Sequence, residues 1–221
     1  YGTTEGLGEL RQHLLEHMAA LDGVHPADLG ATADEILVTS GSQQLLFMLA
    51  DVLVDEGDIV ITGWPSYFVY TGVLAGAGAR VRCVEMDELG MVPDSLEAVF
   101  ADLNASGDLD RVKIVYAISY HQNPTGLTLA EDRKPVILDL VRRYSRRHRI
   151  LLVEDAAYRE LTFEGTVPKS FRYFDRAGDH TAVLQTFSKP FSPGLKTGYG
   201  LLPRDLVEPV VLQKGNHDFG S

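Results

Sequence analysis

Short runs of branched and apolar residues recur along the chain, separated by segments in which apolar positions return every three or four residues. The runs at 36–38, 58–61, 79–84, 112–118, 150–153 and 182–184 have the length and composition of strands. Helices are expected at 7–21, with Leu10, Leu14, Leu15 and Met18 near one stripe, at 45–53, after Tyr67 to about Leu74, at 93–103 and at 135–147. The run 112–118 is almost continuously apolar, as in a parallel strand covered on both faces. Strands alternating with helices imply right-handed crossovers. The expected fold class is therefore α/β, a three-layer αβα arrangement around a mostly parallel sheet. Ligands of such sheets gather in the crevice beyond the carboxyl ends of the strands, which directs attention to the turns that follow them.

Composition narrows the picture. With 221 residues, 45% of them hydrophobic, the chain can bury one substantial core, and no repeat or linker divides it. We read residues 1–221 as one large domain of a longer polypeptide, since there is no initiator Met and Gly220-Ser221 follows no closing element. The net charge of −11 repels phosphate backbones and anionic membrane surfaces. A small ligand is expected, with no nucleic acid, membrane or metal partner. Cys83 has no second cysteine to pair with, which fits a reducing, cytoplasmic setting. The longest apolar stretch, 45–54, is broken by Asp51 and too short to span a bilayer. The basic run Arg142, Arg143, Arg146 and Arg147 is expected to be a solvated helix face.

Five turns carry candidate chemistry. After the first strand, Thr39-Ser40-Gly41-Ser42-Gln43-Gln44 leads into a helix, where unpaired N–H groups and the helix dipole favour an anion. A plain capping role for Ser42 is the alternative. Tyr67, in Trp64-Pro65-Ser66-Tyr67, could stack on a flat ligand or belong to the core. Tyr120-His121-Gln122-Asn123-Pro124-Thr125-Gly126 has a turn composition, with His121 a loop histidine. Glu154-Asp155-Ala156-Ala157-Tyr158 places a carboxylate at a strand end, where Asp155 could also cap a short helix. Finally, Thr186, Ser188 and Lys189 follow a strand, with Pro190, Pro193 and Gly194 restricting the loop beyond. A lysine held there among hydroxyls can add to a carbonyl as a Schiff base; the alternative is a solvated loop lysine.

Thr186-Phe187-Ser188-Lys189, followed by Pro193-Gly194-Leu195-Lys196-Thr197-Gly198, resembles the cofactor-lysine segment of the class I/II aminotransferases, pyridoxal-phosphate enzymes of the aspartate aminotransferase fold. The resemblance runs over nearly the whole chain. It implies the large domain of that fold, with pyridoxal 5'-phosphate on Lys189. Gly41, Ser42 and Gln43 match the family's G-S-Q-Q phosphate loop. Tyr67 takes the place of the ring-stacking aromatic. Asn123, in N-P-T-G, and Tyr158, in D-x-x-Y, would hold the cofactor's phenolic oxygen. Asp155 would pair with the ring nitrogen and keep it protonated, making the ring an electron sink. Tyr1, with Gly6, Leu10 and Arg11, matches the segment whose tyrosine reaches the cofactor phosphate of the other subunit in a homodimer.

Two positions depart from the family pattern. Thr186 stands for a commoner serine at the phosphate. Lys196 stands for an arginine and supplies charge without a bidentate fork. Lys196 is thus also a rival Schiff-base lysine, and Lys189 is preferred because Thr186 and Ser188 flank it in the family's register. The resemblance implies an aminotransferase of amino acid metabolism that moves an amino group between an amino acid and a 2-oxo acid. Lys189, Asp155 and Tyr67 are its expected catalytic residues. Alternatives are a lyase or decarboxylase on the same fold, the sensing domain of a transcription regulator, or a structural domain that binds nothing. The N-terminal segment and the C-terminal small domain, with its carboxylate-binding arginine, lie outside this sequence.

Overall fold

The structure, a computed structural model, describes residues 2–218. In chain order the strands are β1 (Ile36–Thr39), β2 (Ile59–Gly63), β3 (Arg80–Val84), β4 (Met86–Asp87), β5 (Gly90–Met91), β6 (Val112–Ile118), β7 (Leu151–Asp155), β8 (Thr181–Thr186) and β9 (Gly198–Leu201). The helices are α1 (Gly8–Leu21), α2 (Ser42–Leu53), α3 (Phe68–Gly76), α4 (Pro93–Ser106), α5 (Arg133–Tyr144), α6 (Phe171–Phe174) and α7 (Arg204–His217). Seven strands form one sheet in the order β1-β9-β8-β7-β6-β2-β3, while β4 and β5 make a small separate hairpin. Every neighbouring pair in the large sheet is parallel except those involving β9, which runs antiparallel to both β1 and β8.

Side chains of period two split the strands between two cores. Leu37, Val60, Ile114, Tyr116, Leu151, Val153, Ala182 and Leu184 pack with α2, α3 and α7 on one face. Ile59, Ile61, Val112, Val115 and Leu152 meet α4 and α5 on the other, where α1 covers Ile36, Val38, Val183 and Leu201. The strands and helices expected from periodicity are all present, with ends moved by a few residues. Five elements were not anticipated: the two strands of the β4–β5 hairpin, the short α6, strand β9 and helix α7. Gly198-Tyr199-Gly200-Leu201 lacks the branched side chains of a typical strand, because α2 lies directly on it. A Cβ on Gly198 would stand 2.5 Å from the Ser42 nitrogen, and one on Gly200 would stand 2.3 Å from Leu45 Cδ2. Helix α7 contains Pro209, which had masked its pattern.

Helix α5 begins at Arg133, two residues before the expected start, and ends at Tyr144, so its last turn carries Arg142 and Arg143 while Arg146 and Arg147 follow the helix. That run is largely neutralised within the fold. Arg142 reaches Asp175 at 2.6 Å, Arg143 reaches Glu97 at 2.7 Å and Asp139 at 3.0 Å, and Arg147 reaches Asp110 at 2.6 Å. Among the described residues no helix is long and apolar enough to cross a membrane.

Candidate active site

The strand registers gather the five turns at one edge of the sheet. Thr39 and Thr186 both pair with Gly198, and Ile118 pairs with Asp155, which pairs in turn with Leu184. The chain that leaves these ends lines a cavity of about 220 Å³. Gly41, Ser42, Gln43, Tyr67, Asn123, Asp155, Tyr158, Thr186, Ser188, Lys189 and Lys196 all border it, so every predicted site residue but one comes together there. The exception is Tyr1, which lies outside the described residues.

One end of the cavity is built from donors and cations. Gly41, at φ 80°, precedes the first turn of α2, and no side chain among the described residues caps that helix. Ser42 is therefore its first residue and not its cap, leaving the leading N–H groups unpaired within the helix. A Cβ placed on Gly41 would meet nothing within 4 Å, so the backbone borders open space. Gly198 lets β9 come close enough to bring the Thr186 loop beside this helix end. The Thr186 hydroxyl donates to Ser188 Oγ at 3.1 Å and accepts from the Ser188 N–H at 3.2 Å. Lys196, left-handed at φ 52°, closes the loop and borders the cavity.

The other end is acidic. Asp155 ends β7 on the α3 face and is 5% exposed. Its Oδ1 accepts from the Ala157 N–H at 3.1 Å and its Oδ2 from the Tyr116 hydroxyl at 2.7 Å. Asp155 thus does hold the turn that follows it, but with lone pairs to spare. Burial pushes its carboxyl above the ordinary carboxylate range, opposed by the Tyr116 and Ala157 hydrogen bonds and the Lys189 charge. Burial, and then the nearby Asp155 charge, raises the Tyr67 phenol. The Lys189 ammonium lies 5.4 Å from the centre of the Tyr158 ring.

The loops are tied to one another. Gln122 Nε2 donates to the Pro65 carbonyl at 2.7 Å, which fixes the Asn123 loop against the turn that presents Tyr67. His121, at φ 43°, places Nε2 2.8 Å from Thr162 Oγ1, and the Thr162 hydroxyl lies 3.2 Å from the Arg159 carbonyl in the segment after Tyr158. Among the described residues the Asn123 side chain has no hydrogen-bond partner and is free to serve a ligand.

Beneath the loops lies a buried ionic cluster that sequence reasoning missed. Lys134 and Glu154 are both fully buried at 2.9 Å. Lys134 also donates to the Tyr120 hydroxyl at 3.1 Å and to the Lys169 carbonyl at 2.6 Å. Arg159 pairs with Asp22 at 2.5 Å, and Asp22 in turn accepts from the Ser170 N–H and hydroxyl. Tyr116 was missed as well, read only as part of an apolar run.

The chain matches the family model described as aminotransferase class I and II over residues 1–215. It is 34% identical to aromatic-amino-acid aminotransferase 1 of Thermococcus litoralis over 218 residues, covering 99% of this chain and 49% of that protein. It is 28% identical to an uncharacterized HTH-type transcriptional regulator of Bacillus subtilis, YisV, covering 100% of this chain and 42% of that protein. Among solved structures, kynurenine aminotransferase of Pyrococcus horikoshii, in complex with PMP, superposes with a TM-score of 0.89 at 30% identity. That match covers 99% of this chain and 51% of that one. The chain thus spans about half the length of the relatives it matches. Solved aspartate aminotransferases share its three-layer architecture. The donor-lined helix end, the buried carboxylate opposite it and the match along residues 1–215 lead to one conclusion: this chain belongs to the class I and II aminotransferase family.

Proposed function

We propose that this chain is the cofactor-binding large domain of a pyridoxal-phosphate-dependent aminotransferase, a cytoplasmic homodimer acting on an amino acid and a 2-oxo acid. The observation that carries the reading is the polarity of one cavity, with an uncapped helix end, hydroxyls and two lysines facing a single buried carboxylate. That donor set fits a ligand with a phosphate on one side and a ring nitrogen on the other. When bound, pyridoxal phosphate supplies an aldehyde and an electron-withdrawing ring.

The protein's part follows from its residues. The α2 N–H groups, Ser42, Gln43, Thr186 and the Lys196 charge take the phosphate. Tyr67 holds the ring plane, Asn123 and Tyr158 take its oxygen, and Asp155 holds the proton of its nitrogen. Lys189 would provide the amine that carries the cofactor and would serve as the base for the substrate α-proton. Tyr1 is assigned to the phosphate of the partner subunit, and the segments that clamp the substrate carboxylate lie outside this chain. The single cysteine accords with a reducing compartment.

The test is borohydride reduction of the full-length protein after addition of pyridoxal phosphate, followed by peptide mapping. A pyridoxyl label on Lys189 is expected. A label on Lys196 would exchange the two lysines' roles, and no label would refute a Schiff base on this chain. The similarity to YisV favours one second reading, a sensing domain that uses the same cofactor site without turnover. A winged-helix segment upstream in the full gene, together with a labelled Lys189 and no transamination of any donor, would select it.

A further inference from the structure

Asp155 is given its spatial role by β7, but what holds its carboxylate in that role comes from β6. Tyr116 is 1% exposed, stands one strand away and donates its hydroxyl to Asp155 Oδ2 at 2.7 Å. Asp155 Oδ1 is turned the other way by the Ala157 N–H. With each oxygen fixed by one donor, the plane of the carboxylate is set and its unused lone pairs remain for a ligand. The Tyr116 ring is itself held by Tyr70, with centroids 4.5 Å apart and both side chains inside the α3 core. Burial and the Asp155 charge push the Tyr116 phenol well above its ordinary range, so its proton stays on the bond to Asp155. Among the described residues the Tyr70 hydroxyl, in the same buried neighbourhood, has no hydrogen-bond partner.

We propose that Tyr116 is a positioning residue that acts through Asp155, fixing the carboxylate so that it recognises the protonated ring nitrogen of the cofactor. The inference rests on the cofactor reading above. It adds a residue outside the cavity's ring-binding set, and it predicts a discrimination that packing alone would not produce. Removing the hydroxyl leaves the Asp155 carboxylate buried with one donor fewer, which disfavours the ionised form that a pyridinium needs. A ligand lacking that nitrogen gains nothing from an ionised, aligned Asp155.

The experiment uses the full-length protein stripped of cofactor, with dissociation constants measured for pyridoxal phosphate and for its 1-deaza analogue, in which carbon replaces the ring nitrogen. Tyr116→Phe keeps the ring that packs on Tyr70. It is expected to weaken pyridoxal phosphate roughly tenfold or more, the usual range for a hydrogen bond to a charged group, and to change the analogue by less than about twofold. Tyr70→Phe removes a buried hydroxyl of the same neighbourhood that has no bond to Asp155, and should leave both constants as they are. Equal weakening of both ligands in Tyr116→Phe would reduce Tyr116 to a packing residue and overturn the proposal. So would a pyridoxal phosphate constant unchanged from the parent. A parent protein that binds neither ligand would instead remove the cofactor reading itself, and this inference with it.

Discussion

Replacing Lys134 with Met tests how much the buried ionic cluster holds the site in place. All three Lys134 donors are used inside the protein, on Glu154 at 2.9 Å, the Tyr120 hydroxyl at 3.1 Å and the Lys169 carbonyl at 2.6 Å. Methionine fills the volume but leaves the Glu154 carboxyl fully buried without its cation, with the Phe171 N–H at 2.8 Å as its remaining donor among the described residues. Breaking one side of a buried pair costs about 3–5 kcal/mol. That is a large part of the roughly 5–15 kcal/mol that holds a typical domain together. Urea unfolding followed by circular dichroism should show the loss as a lower midpoint with an unchanged slope. Adding Glu154→Gln should recover much of it, since the amide still accepts from Phe171 and no uncompensated charge remains. Glu154→Gln alone should cost less than Lys134→Met, for burial already holds the Lys134 pKa below the ordinary lysine value of 10.5 and the amine can shed its proton. In that variant the unfolded chain keeps the lysine proton to higher pH than the folded one. Unfolding then takes up a proton, so stability should rise with pH up to the ordinary lysine range. A Lys134→Met loss under about 1 kcal/mol, or no recovery in the double variant, would refute the assignment of this energy to the pair.

Four further substitutions, at Gly198, His121 and Asp155, probe the cavity and the backbone that supports it. Gly198→Ala puts a methyl 2.5 Å from the Ser42 nitrogen, so it should cost about 1–3 kcal/mol in unfolding assays and weaken inorganic phosphate binding as the α2 end is displaced. His121→Ala keeps the left-handed backbone at φ 43° and loses the Thr162 contact, for a loss of about 1 kcal/mol. His121→Gly removes that backbone cost as well and should be the more stable of the two. Asp155→Asn should raise the unfolding midpoint of the cofactor-free protein at pH 8 while weakening pyridoxal phosphate. The folded carboxyl is raised above 3.8, so the cost of burying its ionised form is present above the folded pKa and disappears as pH falls through it. At pH near 4 the two proteins should therefore converge.

The site was more legible than the fold around it, for a physical reason. Its residues stand in turns after strands, where Gly41, Pro124, Gly126 and Gly194 leave local signatures in the sequence that do not depend on distant partners. Strand β9 left none. Its glycines answer to the approach of α2, a contact between residues far apart in the chain. Tyr116 was hidden differently, since a tyrosine among valines and isoleucines has the same apolar pattern whether or not its hydroxyl has a partner. Lys134 did leave a trace. It shares the spacing of Ile137, Leu138 and Val141, a buried helical stripe, and starting the helix at 135 removed it from view. A lysine on an apolar stripe requires a buried acid, and of the two acids of β7 Glu154 is the one that faces the α5 layer.

Glu154 and Asp155 show how the sheet assigns work to neighbouring carboxylates. Successive residues of β7 face opposite layers, so two adjacent acids enter two environments. Glu154 points to the α5 layer and meets a lysine whose donors are exhausted by protein acceptors, which makes that pair a fastening. Asp155 points to the α3 layer and meets a phenol and one N–H, which orient it without neutralising it. A cation in the position of Tyr116 would satisfy Asp155 within the fold and leave little reason for a ligand nitrogen to bind. The neutral donor preserves the unmatched charge at the cavity end, and that unmatched charge is what a protonated ring can recognise.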